Sequence, residues 1–380
     1  MEFNQHQILL MGLNWNFQWL EDPIIQKIIK ILDPYDWRLV GGCVRDNLIN
    51  HFTYDIDINT PLEPTFVENL FQDFTINTIG RDHGTVMVFA HPYKIEITTL
   101  RKDVITDGRH AQVAFTNSWE EDSNRRDFTI NGLMMDYKQQ KIYDYHGGIF
   151  DLISKQVKFI GNFQERIQED YLRILRFIRF SVRFGHHNDF FTVLETIKPL
   201  VPGLKKVSQE RIINEISIAM GYESWMTAIK AIKILGIDHI IASDFNDDFS
   251  NFQGDTYEEK WASVLLIKPN NFSRWSLDSC LKKTLTKSNY DYDQWGPSIL
   301  FNVYTDPLFN IKVMMVKNYI LYGNKVESFF INLKHFLSNE TIKTQFNQEK
   351  IKIVKSYQGS EIKNKIIEYL WNLWLSKDFR

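Results

Sequence analysis

Tyr54-Asp55-Ile56-Asp57-Ile58 sets two carboxylates two residues apart in a β-forming run. A strand alternates its side chains, so Asp55 and Asp57 share one face while Ile56 and Ile58 take the other. At a rise of ~3.3 Å per residue the two carboxylates stand ~7 Å apart along the strand. Such a face can converge on divalent ions. Magnesium prefers oxygen ligands and keeps positions open for water and phosphate. Two ions ~3.5–4 Å apart activate an attacking hydroxyl and stabilise a leaving pyrophosphate. An edge strand with a solvated acidic face is the alternative for these residues alone. Leu39-Val40-Gly41-Gly42-Cys43-Val44-Arg45-Asp46 precedes them and reads as a strand, a glycine turn and a helix start. Glycines let a backbone approach phosphate closely, a helix N-terminus offers amide donors, and Arg45 can add a bidentate contact. The segment has neither the Walker nor the dinucleotide glycine spacing. Glu96, in Lys94-Ile95-Glu96-Ile97-Thr98, is a candidate third carboxylate or an ordinary exposed glutamate.

A second constellation is cationic. At ~100° per residue, Arg173, Arg176, Arg179 and Arg183 fall within about one third of a helix circumference. The rest of that surface is Ile, Leu, Phe and Val, so the helix is buried, and buried arginines need anionic partners. Those partners are either acidic residues of the preceding β-rich region or the phosphates of a bound nucleotide approached by Arg176 and Arg179. Asp170 beside Arg173 offers an acceptor next to a donor. Cytosine and adenine present the complementary amino donor and ring-nitrogen acceptor, whereas guanine and uracil present the reverse order. Arg125-Arg126-Asp127-Phe128-Thr129-Ile130-Asn131 adds basic groups, and Arg126 contacts a ligand only if this segment lines the same cleft.

The elements that must position these residues change along the 380-residue chain. From Trp37 to Asp151 short β-rich runs (WRLVGG, YDIDIN, GTVMVFA, KIEITTL, KIYDY) alternate with helical stretches after Gly42, around Thr65–Phe71 and after Asn131. That pattern predicts an α+β region with a small mixed β-sheet and helices on one side. From about Glu165 onward the spacing is helical throughout, and residues 1–36 read as a helical extension packing on the sheet. The acidic stretch Ser243–Asp255 reads as an exposed connection. The net charge of −3 gives no global basic field, so nucleic-acid binding must rest on a local surface. The two cysteines, Cys43 and Cys280, make no zinc spacing, and a reducing, cytoplasmic setting is the simpler expectation. The N-terminal residues carry no basic signal region, and no apolar run is long enough to span a membrane.

Taken together, LVGGCVRD with YDID, then EITTL, RRDFTING, EDYLRILRFIRF and SQERIINE resemble the class II CCA tRNA nucleotidyltransferase and bacterial poly(A) polymerase family. The likeness runs from about Trp37 to Glu215 in family order. It implies a nucleotidyltransferase head at 37–155, a base-selecting helical neck at 156–220, and a helical body and tail at 221–380 that hold tRNA. By position it implies metal-ligand roles for Asp55 and Asp57, with Glu96 as the third catalytic acid. Gly42, Arg45 and Arg126 look like triphosphate contacts. Asp170 and Arg173 look like the base template, with Arg176 and Arg179 beside them. The implied substrates are CTP and ATP, the implied cofactor is Mg2+ (two ions), and the implied partner is tRNA. Gly132 departs from the alanine or serine more frequent in the family. Arg101–Phe115 is similar to the flexible loop of complete CCA-adding enzymes, which favours CCA addition over polyadenylation or partial CC or A addition. No His-Asp dipeptide occurs, so the phosphohydrolase module of some relatives is not expected. A non-catalytic RNA-binding protein is the contrasting reading, and the intact pair of aspartates argues against it. Lys350, Lys352, Lys355, Lys363 and Lys365 are either phosphate contacts or a solvated helical face.

Overall fold

The computed structural model describes residues 1–15, 17–107, 110–185, 189–241, 260–261, 264, 344–345, 348–349, 352 and 369–370. The β-forming runs become β1 (Glu2–Asn4), β2 (Arg38–Val40), β3 (Asp55–Thr60), β4 (Thr75–Asn77), β5 (Thr85–Ala90), β6 (Tyr93–Thr99), β7 (Arg101–Asp107), β8 (His110–Phe115), β9 (Met134–Asp136) and β10 (Lys141–Tyr143). Eight of them form one sheet in the order β1-β10-β9-β2-β3-β6-β5-β4. Its β3–β6 pair is parallel, and the remaining neighbours are antiparallel. Parallel neighbours require a crossover, and residues 61–92 supply it with α4 (Pro64–Leu70), β4 and β5.

Alternation fixes the two faces of the central strands. Ile56, Ile58, Ile95 and Ile97 are at most 3% exposed and build the core on one face. Helix α3 (Gly42–Leu48) packs against β2 and β3, and α4 against β5 and β6. The other helices of this region are α1 (Gln5–Leu10), α2 (Pro23–Leu32), α5 (Trp119–Asn124), α6 (Gly148–Ile153), α7 (Phe163–Glu169), α8 (Arg173–Phe184) and α9 (Phe190–Ile197). Asp22 caps α2 by accepting from the Ile24 amide, and Pro23 opens the helix at a position where no amide donor is needed.

The chain forms two compact units, Met1–Val207 and Ser208–Arg380. In the second, α10 (Gln209–Met220) packs on α11 (Trp225–Ile234), followed by the short α12 (Ile237–Ile240). Ile212, Ile216, Ile229 and Ile232 are buried there, as the helical spacing predicts. Ser243–Asp255, Cys280, Lys350, Lys355, Lys363 and Lys365 lie outside the described residues, while Lys352 is exposed and pairs with Glu349 at 3.0 Å. Among the described residues, no helix is long and apolar enough to cross a membrane.

Three local expectations are corrected. Residues 1–36 are not wholly helical, because Glu2–Asn4 pairs with Lys141–Tyr143 and closes the sheet edge. The stretch after Asn131 is a strand rather than a helix: Met134 and Met135 fill the gap between β2 and β10, and sheet pairing overrides their helical preference. Within the stretch read as similar to the flexible loop, β7 and β8 pair antiparallel. The run from Arg166 to Phe184 is two helices, broken at Asp170, whose backbone is extended (φ −148°, ψ 105°).

Candidate active site

The register of β3 on β6 sets Asp55 opposite Lys94 and Asp57 opposite Glu96. Partners in register project to the same side of a sheet, so all four side chains share the face opposite the isoleucine core. Asp55 is exposed, and Asp57, Lys94 and Glu96 are half-buried. Lys94 donates to Glu96 Oε1 at 2.7 Å. Burial, with Glu96 and Asp55 adding to it, pushes the Asp57 carboxyl up to about 6 against the opposing pull of Arg126 and Lys94. Its anion is therefore short of positive charge.

Gly41 lies against this face. Its φ of +67° suits glycine, and a Cβ there would sit 2.9 Å from Arg126 Nη1 and 3.9 Å from Asp57 Oδ2. The β2–α3 turn, Arg126 and the carboxylate pair thus meet at one point, as the sequence reading of Arg126 required. For Gly41→Ala we predict a 10- to 100-fold loss of kcat/KM from backbone strain of about 1–3 kcal/mol and a displaced Arg126, read by steady-state kinetics beside a thermal melt.

The arginines divide by how well they are satisfied. Arg126 is loosely held: Nη1 reaches Asn131 O and Nη2 reaches Asp122 Oδ2, each at 3.4 Å, while its buried Nε has no hydrogen-bond partner among the described residues. Asp122 is fully buried and anchors this segment, accepting from Asn59, Arg125 and the Arg101 amide as well. Although its burial pushes the other way, Arg125 and Arg126 hold the Asp122 carboxyl below the ordinary range. Arg45, expected as a phosphate contact, is engaged within the protein. It is 4% exposed, pairs with Asp46 at 2.7 Å, bonds Asn131 Oδ1 and lies over the Phe184 ring, so here it braces α3 from inside.

On α8 the alternative of ion pairs with acidic residues of the β-rich region is realised for Arg176 and Arg183. Arg176 grips Asp127 Oδ2 through Nε at 2.8 Å and Nη2 at 2.7 Å, and Arg183 reaches Asp46 at 3.1 Å. Arg179 is buried with its guanidinium 4.3 Å from the centre of the Phe180 ring. Arg176, expected to approach phosphate, is thus engaged by Asp127 in this structure.

The break between α7 and α8 presents the other candidate pair. Asp170 Oδ1 accepts from the Leu172 amide at 3.0 Å, which starts α8. Arg173 Nη1 is held by Arg166 O at 2.6 Å and Glu169 Oε2 at 2.5 Å. Among the described residues, its Nε and Nη2 make no hydrogen bond, which leaves two donors for a ligand. Arg166 also donates to the backbone carbonyls of Arg125 and Arg126, tying the Asp170–Arg173 junction to the segment beside Asp57.

Sequence reasoning missed Lys94, Asp122, Asp127 and Asn131 as members of this network. Only Lys94 carried a signal, since alternation puts it on the face of Glu96. Cys43 is a core thiol, pushed up to about 12 by burial and by Asp57. At Gly132 a Cβ would meet His146 Cδ2, Ile160 Cδ1 and Ser123 Oγ, each at 3.2 Å, which accounts for the missing side chain there.

Residues 37–158 match the family model described as the poly A polymerase head domain. A mitochondrial CCA tRNA nucleotidyltransferase 1 of Mus musculus is 39% identical over 225 residues, 57% of this chain and 51% of that protein. The match therefore spans about half the length of that relative. A CCA-adding enzyme of Streptococcus pyogenes serotype M1 is 33% identical over 286 residues, 70% of this chain and 69% of that protein. The crystal structure of a Bacillus stearothermophilus CCA-adding enzyme in complex with CTP has the same fold, with a TM-score of 0.67 at 23% identity over 94% of each chain.

Proposed function

Since the chain belongs to the CCA-adding tRNA nucleotidyltransferase family, we propose that it adds C, C and A to the 3′ end of tRNA from CTP and ATP. The observation that carries this reading is the strand face shared by Asp55, Asp57 and Glu96, with Gly41 and the loosely held Arg126 beside Asp57. In the reaction the RNA 3′-oxygen forms a bond to the α-phosphorus, the bond to the β-phosphate oxygen breaks, and pyrophosphate leaves. Asp55 and Asp57 would hold magnesium, which when bound supplies positive charge to the phosphates and the attacking hydroxyl. The donor set fits. Asp55 and Asp57 stand two residues apart on one strand face, and magnesium is commonly held by one or two carboxylates with water and substrate phosphates.

Arg126 offers a guanidinium to the triphosphate, and the Gly41–Gly42 turn lets the chain approach it. Arg45, Arg176 and Arg183 act one step back, bracing α3, Asp127 and Asp46. Asp170 and the spare donors of Arg173 pair with the amino group and ring nitrogen of cytosine or adenine. For Asp170→Ala we predict that selectivity for CTP and ATP over GTP and UTP falls about tenfold or more, one lost polar match being worth ~1–3 kcal/mol. Unchanged incorporation ratios in single-nucleotide assays would remove the template role.

Incubating the protein with tRNAs ending before C, after CC and after CCA, with each triphosphate separately, tests the whole reading. Stepwise C, C and A incorporation is expected. Repeated A addition would indicate a poly(A) polymerase, arrest at one step a partial enzyme, and no magnesium-dependent incorporation a non-catalytic RNA-binding protein.

A further inference from the structure

Lys94 is a cation built into an acidic face. It stands opposite Asp55 across the β3–β6 pair and two residues before Glu96 on the same strand face. Its ammonium lies 2.7 Å from Glu96 Oε1, and the two side chains are 42% and 36% exposed. Lysine is a compact point charge with three donors, so an ion that approaches Glu96 competes with that ammonium for Oε1 and meets its positive charge beside the carboxylate. Glu96, the partner of Asp57 in register, is thereby engaged within the protein.

We propose that Lys94 withholds Glu96 from divalent ions in the nucleotide-free chain, leaving Asp55 and Asp57 as the only carboxylates of this face that bind the ion. Lys94 is thus a positioning residue, and its role rests on the metal-assisted transfer reading above. It sets how strongly the empty face draws cations before a triphosphate brings its own charge. A face with three free carboxylates would bind cations more tightly, and the lysine holds that tendency down.

The test is titration of the full chain with Mn2+ alone, without nucleotide, following the free-ion signal by electron paramagnetic resonance. Lys94→Met should tighten Mn2+ binding about fivefold, the upper range for losing an exposed ion pair. Lys94→Arg should leave it near that of the unsubstituted chain. In an Glu96→Gln background, Lys94→Met should bring no gain, which separates release of Glu96 from a general change of field. Unchanged or weaker binding by Lys94→Met, or an equal gain in the Glu96→Gln background, overturns the proposal. Lys94→Gln carries the same expectation if the methionine variant fails a thermal melt. Because the titration needs no turnover, a chain that shows this pattern but transfers no nucleotide would count against the transfer reading and not against the role of Lys94.

Discussion

Asp57→Ala should lower nucleotide transfer by about 10³-fold or more, equivalent to ~4 kcal/mol of transition-state stabilisation. The physical cause lies in the site. Asp57 pairs with Glu96 in register, faces Arg126 near Gly41, and carries an anion that burial and neighbouring carboxylates leave short of positive charge. Removing it takes away half of the proposed magnesium donor set and one of the carboxylates whose charge Arg126 faces. The side chain lies on the face away from the Ile56–Ile58 core, so folding should persist. Transfer to a truncated tRNA measures the effect beside a circular dichroism melt. Activity within tenfold of the unsubstituted chain would dismiss the assigned role.

Asp127→Ala should instead act on stability, by about 3 kcal/mol. Its Oδ1 accepts from the Phe128 amide and Asn131 Nδ2, both at 2.9 Å, while Oδ2 takes the two Arg176 donors. Alanine removes the acceptor from all of these, and the loss of the buried carboxylate that Arg176 grips with two donors is the costly part. The same network gives a pH dependence. Burial raises the Asp127 pKa, but Arg176 and the hydrogen bonds from Asn131 and Phe128 win, and the folded carboxyl is held below its ordinary value. The unfolded chain therefore binds the proton more readily. The stability contributed is fully present above the unfolded value near ~3.9 and is lost as pH falls through the lower folded one. Melting temperature should drop on acidification below about pH 4, and Asp127→Asn should flatten that part of the profile. An unsubstituted chain whose acid limb matches that of the Asn variant would show that the pair contributes nothing there.

These two aspartates also mark how differently the sequence disclosed its residues. Asp57 was legible because a strand has a period of two, and any strand through Tyr54–Ile58 must put it on the face of Asp55. Arg126 was legible only conditionally, since its value depended on meeting the glycine turn in space. Asp127, its neighbour, gave no signal. Its importance comes from Arg176, 49 residues away, and nothing local announces such a partner. The arginine stripe was read correctly as needing anions, but spacing left open whether these were phosphates or carboxylates, and for Arg176 and Arg183 the fold supplied carboxylates. The strand at Met134–Asp136 and the edge strand at Glu2–Asn4 escaped detection because three-residue strands carry too little alternation to register, and pairing alone makes them.

Periodicity, glycine placement and charge type thus settled the class of fold and the acidic strand, and the order of the motifs carried the resemblance to the family. Those properties depend on residues close in sequence, where backbone sterics act directly. The tertiary structure decided which cation met which anion: Lys94 with Glu96, Arg45 with Asp46, Arg176 with Asp127, and Arg126 left loosely held beside Asp57. Charge pairing depends on distance and burial. Except where strand alternation already puts two residues side by side, only the folded chain fixes either.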